Sequence, residues 1–216
     1  MKTKNNLALI VSTIICLIPV IYALLVFEQL PPQIPVHFDN SGNADNYLPK
    51  NIAVFGLPVL MAAINIYTHF RLNNDPKVEN ASTAIKQAAK WGVPVISVIM
   101  IPYLLVNTLG TELPTSMFAT ALAGVVIVIC GNYLPKCRQN YTVGIKLPWT
   151  LHSETNWNKT HRFAGFLWVA GGLVIILSAF LSTWNIQLVV VGLLVVAPFL
   201  YSYFEFKKET RIRVSE

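Results

Sequence analysis

The chain has 216 residues, of which 54% are apolar and only 12% charged. A soluble domain carries about 25% charged residues, so most of this chain does not face water, and a soluble enzyme is excluded. The net charge of +6 is not a nucleic-acid footprint, because Lys and Arg fall in short segments between apolar runs, where membrane orientation is set. No direct nucleic-acid partner is expected.

Six apolar runs follow in chain order, at 7–27, 52–70, 91–109, 115–130, 163–183 and 186–204. Each approaches the roughly 20 apolar residues that a helix needs to cross about 30 Å of hydrocarbon. The fourth is the weakest. The first follows Lys2 and Lys4 as a secretory signal does. Its apolar region is too long for one, however, and no small-x-small cleavage site follows, so it reads as a retained first span. Alternate connecting segments hold fifteen Lys and Arg on one side and only Lys50 on the other. The positive-inside rule places both termini in the cytoplasm. The expected class is an all-α integral membrane protein, a bundle of about six transmembrane helices with the lipid bilayer as its first partner. Three stretches organise it: 1–70 with an outer loop at 28–50, 71–130 with an inner amphipathic segment, and 131–216 with an inner loop and a basic tail.

In the inner loop before the third run, Asp75 followed by Pro76 reads as an N-cap acceptor and a first-turn proline. The pair predicts a helix over 77–90 whose lysines lie near anionic headgroups. In the inner loop before the fifth run, Ser153 is an N-cap with Glu154 in the first turn. A helix starting there runs without a break into the membrane. Trp157 and His161 are one turn apart on it, and Gly165, Trp168 and Gly172 continue that face. Small residues recur at a spacing of seven, as Ala164, Gly171, Ser178 and as Gly165, Gly172, Ala179. Small residues let helices approach closely in a membrane, so this face is expected to be buried. His161 and Arg162 admit two readings. They form a functional site, or Arg162 anchors the span end while His161 bonds a loop carbonyl.

Among the other polar positions, Asn65 and Asn107 lie within runs and suit helix-to-helix hydrogen bonds. Pro19, Pro58, Pro94, Pro102 and Pro198 read as kinks. Cys16, Cys130 and Cys137 read as reduced structural residues. Two groups hold residue types that ligate metals, His37 with Asp39 and Asp45 in the outer loop, and His152, Glu154 and His161 in the inner one. Neither matches a recognised ligand spacing, so no metal and no cofactor is expected. No nucleophile triad, phosphate loop or dinucleotide motif is present, and the protein is not expected to be an enzyme.

The stretch 131–165 resembles the signature of the SdpI family of bacterial membrane proteins. The matching pieces are Gly131-Asn132, Asn140, Gly144-Ile145-Lys146, Pro148-Trp149-Thr150-Leu151, Trp157 and Thr160-His161-Arg162. Lys146 stands where the pattern has arginine, a change that matters if the position needs a two-pronged fork. The outer loop, with its prolines, His37, a turn at Gly42, Asp45 and Lys50, is similar to the short domain of unknown function that often precedes the signature. The resemblance implies a multi-pass protein of the bacterial cytoplasmic membrane that gives immunity to a secreted killing peptide. It also implies a receptor that holds a transcriptional repressor at the membrane. The implied ligand- or partner-binding residues are Asn132, Asn140, Gly144, Lys146, Trp149, Thr150, Trp157, His161 and Arg162, with His37, Asp39 and Asp45 as candidates on the outer side. The alternative is a membrane enzyme or transporter acting on a lipid or small solute, which needs a polar cavity lined by ionisable groups or a metal.

Overall fold

The computed structural model describes residues 2–39, 43–77, 80, 83–111, 114–181 and 184–215. Six of its helical stretches are long and apolar enough to cross a membrane: Asn6–Leu25, Ile52–Asn73, Thr83–Thr108, Thr115–Lys136, Glu154–Leu181 and Ile186–Ile212. They coincide with the six apolar runs. The fourth does not end early but continues helically to Lys136. Thr183, the expected end of the fifth run, and Gly42, the expected turn, lie outside the described residues.

The elements are α1 (Lys2–Leu17), α2 (Pro19–Leu25), β1 (Gln33–Phe38), β2 (Ala44–Pro49), α3 (Leu57–Asn73) and α4 (Thr83–Thr108). They are followed by α5 (Thr115–Tyr133), α6 (Pro148–His152), α7 (Glu154–Leu181) and α8 (Trp184–Ser215). The first span breaks between α1 and α2 at Ile18, because Pro19 brings no N–H to continue the ladder. A single π-helical turn, Ile52–Gly56, precedes α3, with Pro58 at its start. Pro94, Pro102 and Pro198 sit inside unbroken helices.

Two compact units result, one of residues 1–74 and 86–116, the other of residues 75–85 and 117–216. In the first, α1 packs along α3. Asn65 on α3 donates to the Ser12 and Thr13 hydroxyls at 2.8 and 3.1 Å, the expected helix-to-helix bond. Asn107 on α4 likewise reaches the Thr115 hydroxyl at 2.7 Å. The outer segment forms an antiparallel hairpin that the sequence reading treats only as a loop. β1 pairs Gln33 with Pro49 and Ile34 with Leu48, and irregularities then bracket His37. Ile34 is fully buried in a cluster with Ala23, Leu30, Ala53, Val54, Ile101 and Leu105. Burial of this one isoleucine, worth about 1.5–3 kcal/mol, ties the hairpin to the helix ends. Lys50 tightens the joint by donating to the carbonyls of Phe27 and Leu30 at 3.1 and 3.2 Å, with its ammonium 4.3 Å from the Phe27 ring centre.

In the second unit, the small-residue face of α7 is buried as expected: Ala164, Gly165, Gly171, Gly172, Ser178 and Ala179 are all inside. Its partner is a matching pair of glycines on α5. A Cβ added to Gly172 would lie 2.9 Å from the Gly124 carbonyl oxygen, and one added to Gly124 equally close to that of Gly172. Gly131 and Gly165 repeat the reciprocal contact one heptad away, at 3.0 and 2.9 Å. Gly171 faces the other way, against Leu194 and Val190 of α8. There the Trp168 indole N–H donates to the Leu194 carbonyl at 2.9 Å.

Orientation has a direct test. With fifteen basic residues on one set of segments, a cysteine at the exposed position Asn43 should react with an impermeant thiol reagent in whole cells. A cysteine at exposed Asn158 should stay unlabelled until the membrane is opened. The reverse pattern would overturn every assignment of sides.

Candidate functional site: the signature loop

The loop between α5 and α7 is held by side chains that bond its own backbone. Asn140, 1% exposed, is its first anchor. Its carbonyl oxygen accepts the N–H groups of Thr142 and Val143 at 2.9 and 2.7 Å. Its amide donates to the Arg138 carbonyl at 2.9 Å and to Cys137 Sγ at 3.2 Å. All four of its hydrogen-bonding positions are therefore used. Cys137 is itself buried, and burial pushes its thiol above the ordinary range, which keeps it protonated and structural.

His161 is the second anchor. Its Nε2 lies 2.9 Å from the Ile145 amide nitrogen and its Nδ1 2.8 Å from the Trp157 carbonyl oxygen. The first group is a donor and the second an acceptor, so the ring is the neutral Nδ1–H tautomer. Of the two readings left open for His161, loop bonding is the one the geometry fits, although the loop group is an N–H and the carbonyl belongs to α7. The imidazole stacks on Trp157, with ring centres 4.0 Å apart. The indole N–H of Trp157 donates to the Cys137 carbonyl at 2.6 Å. Gly144 closes this pair over. Its φ is +121°, and an added Cβ would lie 2.5 Å from His161 Nε2 and 2.9 Å from the Trp157 ring. Thr150, fully buried on α6, accepts the Leu147 N–H at 2.9 Å. Its hydroxyl lies 2.9 Å from the Ile145 carbonyl.

Ser153 begins α7 as expected, its hydroxyl accepting the Asn156 N–H at 3.1 Å. Trp149 fastens α6 to α8. Its indole N–H reaches the Ser202 hydroxyl at 3.0 Å, and its ring meets Phe199, Tyr203 and Phe206 with centres 5.6–5.9 Å away. Asn156, fully buried, donates to the Ser202 carbonyl at 2.9 Å and accepts from Thr160 at 3.0 Å.

The predicted residues thus divide. Asn140, Thr150, Trp157 and His161 are buried in one scaffold, with Gly144 and Trp149 half-buried against it, while Asn132, Lys146 and Arg162 are exposed. Lys146 folds back on the loop, its ammonium 3.0 Å from the Thr142 carbonyl oxygen. The Tyr141 carbonyl oxygen lies 3.5 Å from the same ammonium, and a compact ammonium reaches both without a planar fork. On the outer side, His37 Nδ1 lies 2.6 Å from Asp45. Asp39 instead accepts the Asn43 N–H at 2.8 Å. Among the described residues, no three His, Cys, Asp or Glu side chains converge.

Asp75 and Gln139 were missed as loop residues. Asp75 does accept the Lys77 N–H, at 2.8 Å, as a cap would. The helix predicted over 77–90 nevertheless starts only at Thr83 among the described residues. The other carboxylate oxygen of Asp75 is engaged by the loop. It takes the Tyr141 N–H at 2.9 Å and the Thr142 hydroxyl at 2.6 Å, holding 75–77 as a brace against the loop. Gln139, 8% exposed, accepts from the Lys77 ammonium at 2.5 Å and donates to the Thr150 carbonyl at 2.9 Å.

Residues 136–202, from this loop through α8, match the SdpI/YfhL protein family. Residues 14–62, which contain the hairpin, match a domain of unknown function, DUF1648. A relative along nearly the whole length is Immunity protein SdpI of Bacillus subtilis (strain 168). It is 28% identical over 203 residues, 92% of this chain and 96% of the relative. No solved structure matches the chain. The SdpI segment contains the anchors Asn140, Gly144, Thr150, Trp157 and His161 together with Ser202, the residue that Trp149 and Asn156 both grip.

Proposed function

We propose that this chain is an immunity protein of the bacterial cytoplasmic membrane, which protects its cell against a secreted, membrane-active peptide. We further propose that its signature loop is the docking face for a soluble transcriptional repressor. The observation that carries the reading is the 28% identity, over 92% of the chain, to a protein named for immunity. The division of the loop supports the second part. A scaffold of Asn140, Gly144, Thr150, Trp157 and His161 gives it a fixed shape. The exposed side chains Asn132, Lys146 and Arg162 then offer a polar, cationic rim of the kind that selects a partner. On the outer side, the hairpin with His37, Asp39 and Asp45 is the candidate element for meeting the peptide. Coupling between the two faces requires two states of the protein, and α7 is the candidate moving element because the loop anchors and the close-packed face share it.

The test expresses the chain in a strain sensitive to a family-type killing peptide and measures survival and repressor recruitment separately, at matched membrane abundance. The parent should raise survival. Lys146→Glu combined with Arg162→Glu should lower recruitment at least tenfold and leave survival intact. His37→Ala combined with Asp45→Ala should do the reverse. A parent that confers no survival advantage and recruits no soluble protein would sink this reading in favour of a membrane enzyme or transporter.

A further inference from the structure

In the first unit, proline interrupts the backbone ladder of two spans, and at each interruption a side chain from another helix steps in. Pro94 lies inside α4. It has no N–H to give to the carbonyl four residues before it, that of Lys90. The first span breaks at Ile18 ahead of Pro19, so the last carbonyls of α1, Cys16 among them, fall where the ladder stops. Ser97 of α4 donates its hydroxyl to the Cys16 carbonyl at 2.9 Å, and both residues are fully buried. The ring of His69, fully buried on α3, pairs with the Lys90 carbonyl.

The direction of the second contact follows from its neighbours. His69 Nε2 is turned to the Ser12 hydroxyl of α1, 3.1 Å away, so the nitrogen left for Lys90 is Nδ1. A carbonyl only accepts, which puts the ring proton on Nδ1 and leaves Nε2 to accept from Ser12. The Ser12 hydroxyl can give its proton there, because its other neighbour, the Leu9 carbonyl at 3.1 Å, already belongs to the helical ladder of α1. Asn65 donates to the same hydroxyl oxygen at 2.8 Å. The bonds therefore run one way, from Asn65 through Ser12 and His69 to Lys90, across three helices. Lys90, Pro94 and Ser97 share one face of α4 by their spacing of four and three, and Pro94 and Ser97 are buried. We propose that His69 is the pin of a proline hinge in α4, a positioning residue whose Nδ1–H takes the place of the N–H that Pro94 lacks. In hydrocarbon no water can do this, so the donor has to come from a neighbouring helix. With the pin in place α4 is held to α3 at the interruption, and without it α4 can bend at Pro94.

The experiment compares double variants of the full chain by thermal unfolding in detergent. Pro94→Ala supplies the missing N–H, so the Lys90 carbonyl then no longer depends on His69. His69→Leu should lower the midpoint by several degrees in the parent and by less than half as much beside Pro94→Ala. Beside Pro102→Ala, which supplies an N–H to a different carbonyl of α4, the loss should equal that in the parent. If His69→Leu alone gives no folded protein, adding Pro94→Ala should restore it. The same loss in all three backgrounds, or no restoration, overturns the proposal. The parent is tested directly by solid-state NMR in lipid bilayers, with nitrogen-15 in histidine and carbon-13 in the lysine carbonyls. A protonated histidine Nδ1 should correlate with a lysine carbonyl across the hydrogen bond, and the signal should vanish in His69→Gln. A parent without that correlation overturns the proposal as well.

Discussion

Gly144→Ala should remove the folded signature loop, although it adds a single methyl group. Two independent effects act on it. The backbone at φ +121° lies where side-chain-bearing residues are strained, at about 1–3 kcal/mol. The new Cβ would also sit 2.5 Å from His161 Nε2, on the atom that accepts the Ile145 N–H, and 2.9 Å from the Trp157 ring. The imidazole cannot retreat, because Trp157 stacks on it and its Nδ1–H is held by the Trp157 carbonyl. The His161–Ile145 bond is therefore lost, and a buried acceptor is left unmet at about 1–3 kcal/mol more. The measurement is thermal unfolding in detergent followed by Trp fluorescence, with limited proteolysis at Lys146. Gly144→Ala should lower the midpoint by several degrees and open Lys146 to trypsin at room temperature. Arg138→Ala, at an exposed position in the same loop, should do neither. Equal behaviour of the two variants would show that the glycine is not what closes the loop.

How much of this was legible in the sequence depends on how local each signal is. The six spans were readable because hydropathy over about twenty residues is a local property. The Ser153 cap is set within three residues, and the small face of α7 by its own heptad spacing. What could not be read was the partner of that face. Gly124 and Gly131 carry the same spacing of seven on α5, but nothing in one sequence pairs two such stripes. The hairpin was hidden because Pro35 and Pro49 interrupt its strands, and proline argues against a strand unless the strand is at an edge. The available signal was the alternation of Ile34, Val36 and Phe38 at the strand period of two. Asp75 was read correctly as a cap acceptor, but a carboxylate has two oxygens, and the second serves Tyr141 and Thr142, 66 and 67 residues away. The nine candidate residues for partner binding form one motif in the sequence. Their separation into a buried scaffold and an exposed rim is three-dimensional, since Trp157, His161 and Arg162 are neighbours on one helix yet face opposite environments.

The second large effect is expected at Gly172. Leucine there should abolish stable packing of α5 on α7, while Leu173→Ala, next to it, should be mild. The Cβ of any residue at 172 would lie 2.7 Å from Val128 Cγ2, 2.9 Å from the Gly124 carbonyl oxygen and 2.9 Å from the Val128 backbone nitrogen. Only the first neighbour is a side chain that could turn aside. The other two are backbone, so the helices themselves must separate. Overpacking a core costs about 1–3 kcal/mol where side chains can adjust, and the upper end or beyond applies where they cannot. Separation would also break the reciprocal contact of Gly131 with Gly165 one heptad along. In a membrane no hydrophobic force draws the helices back together, because lipid tails are as apolar as the faces exposed. Leu173 is 50% exposed, toward the side that lipid covers, so truncating it leaves no cavity. The measurement is the monodisperse fraction after detergent extraction, with each variant expressed to the same total level. Gly172→Leu should lower that fraction at least fivefold and Leu173→Ala less than twofold. Gly172→Ala should fall between them, since one methyl meets the same backbone atoms without the reach of leucine. A Gly172→Leu protein extracted as well as the parent would mean that α5 and α7 are not joined through their glycines.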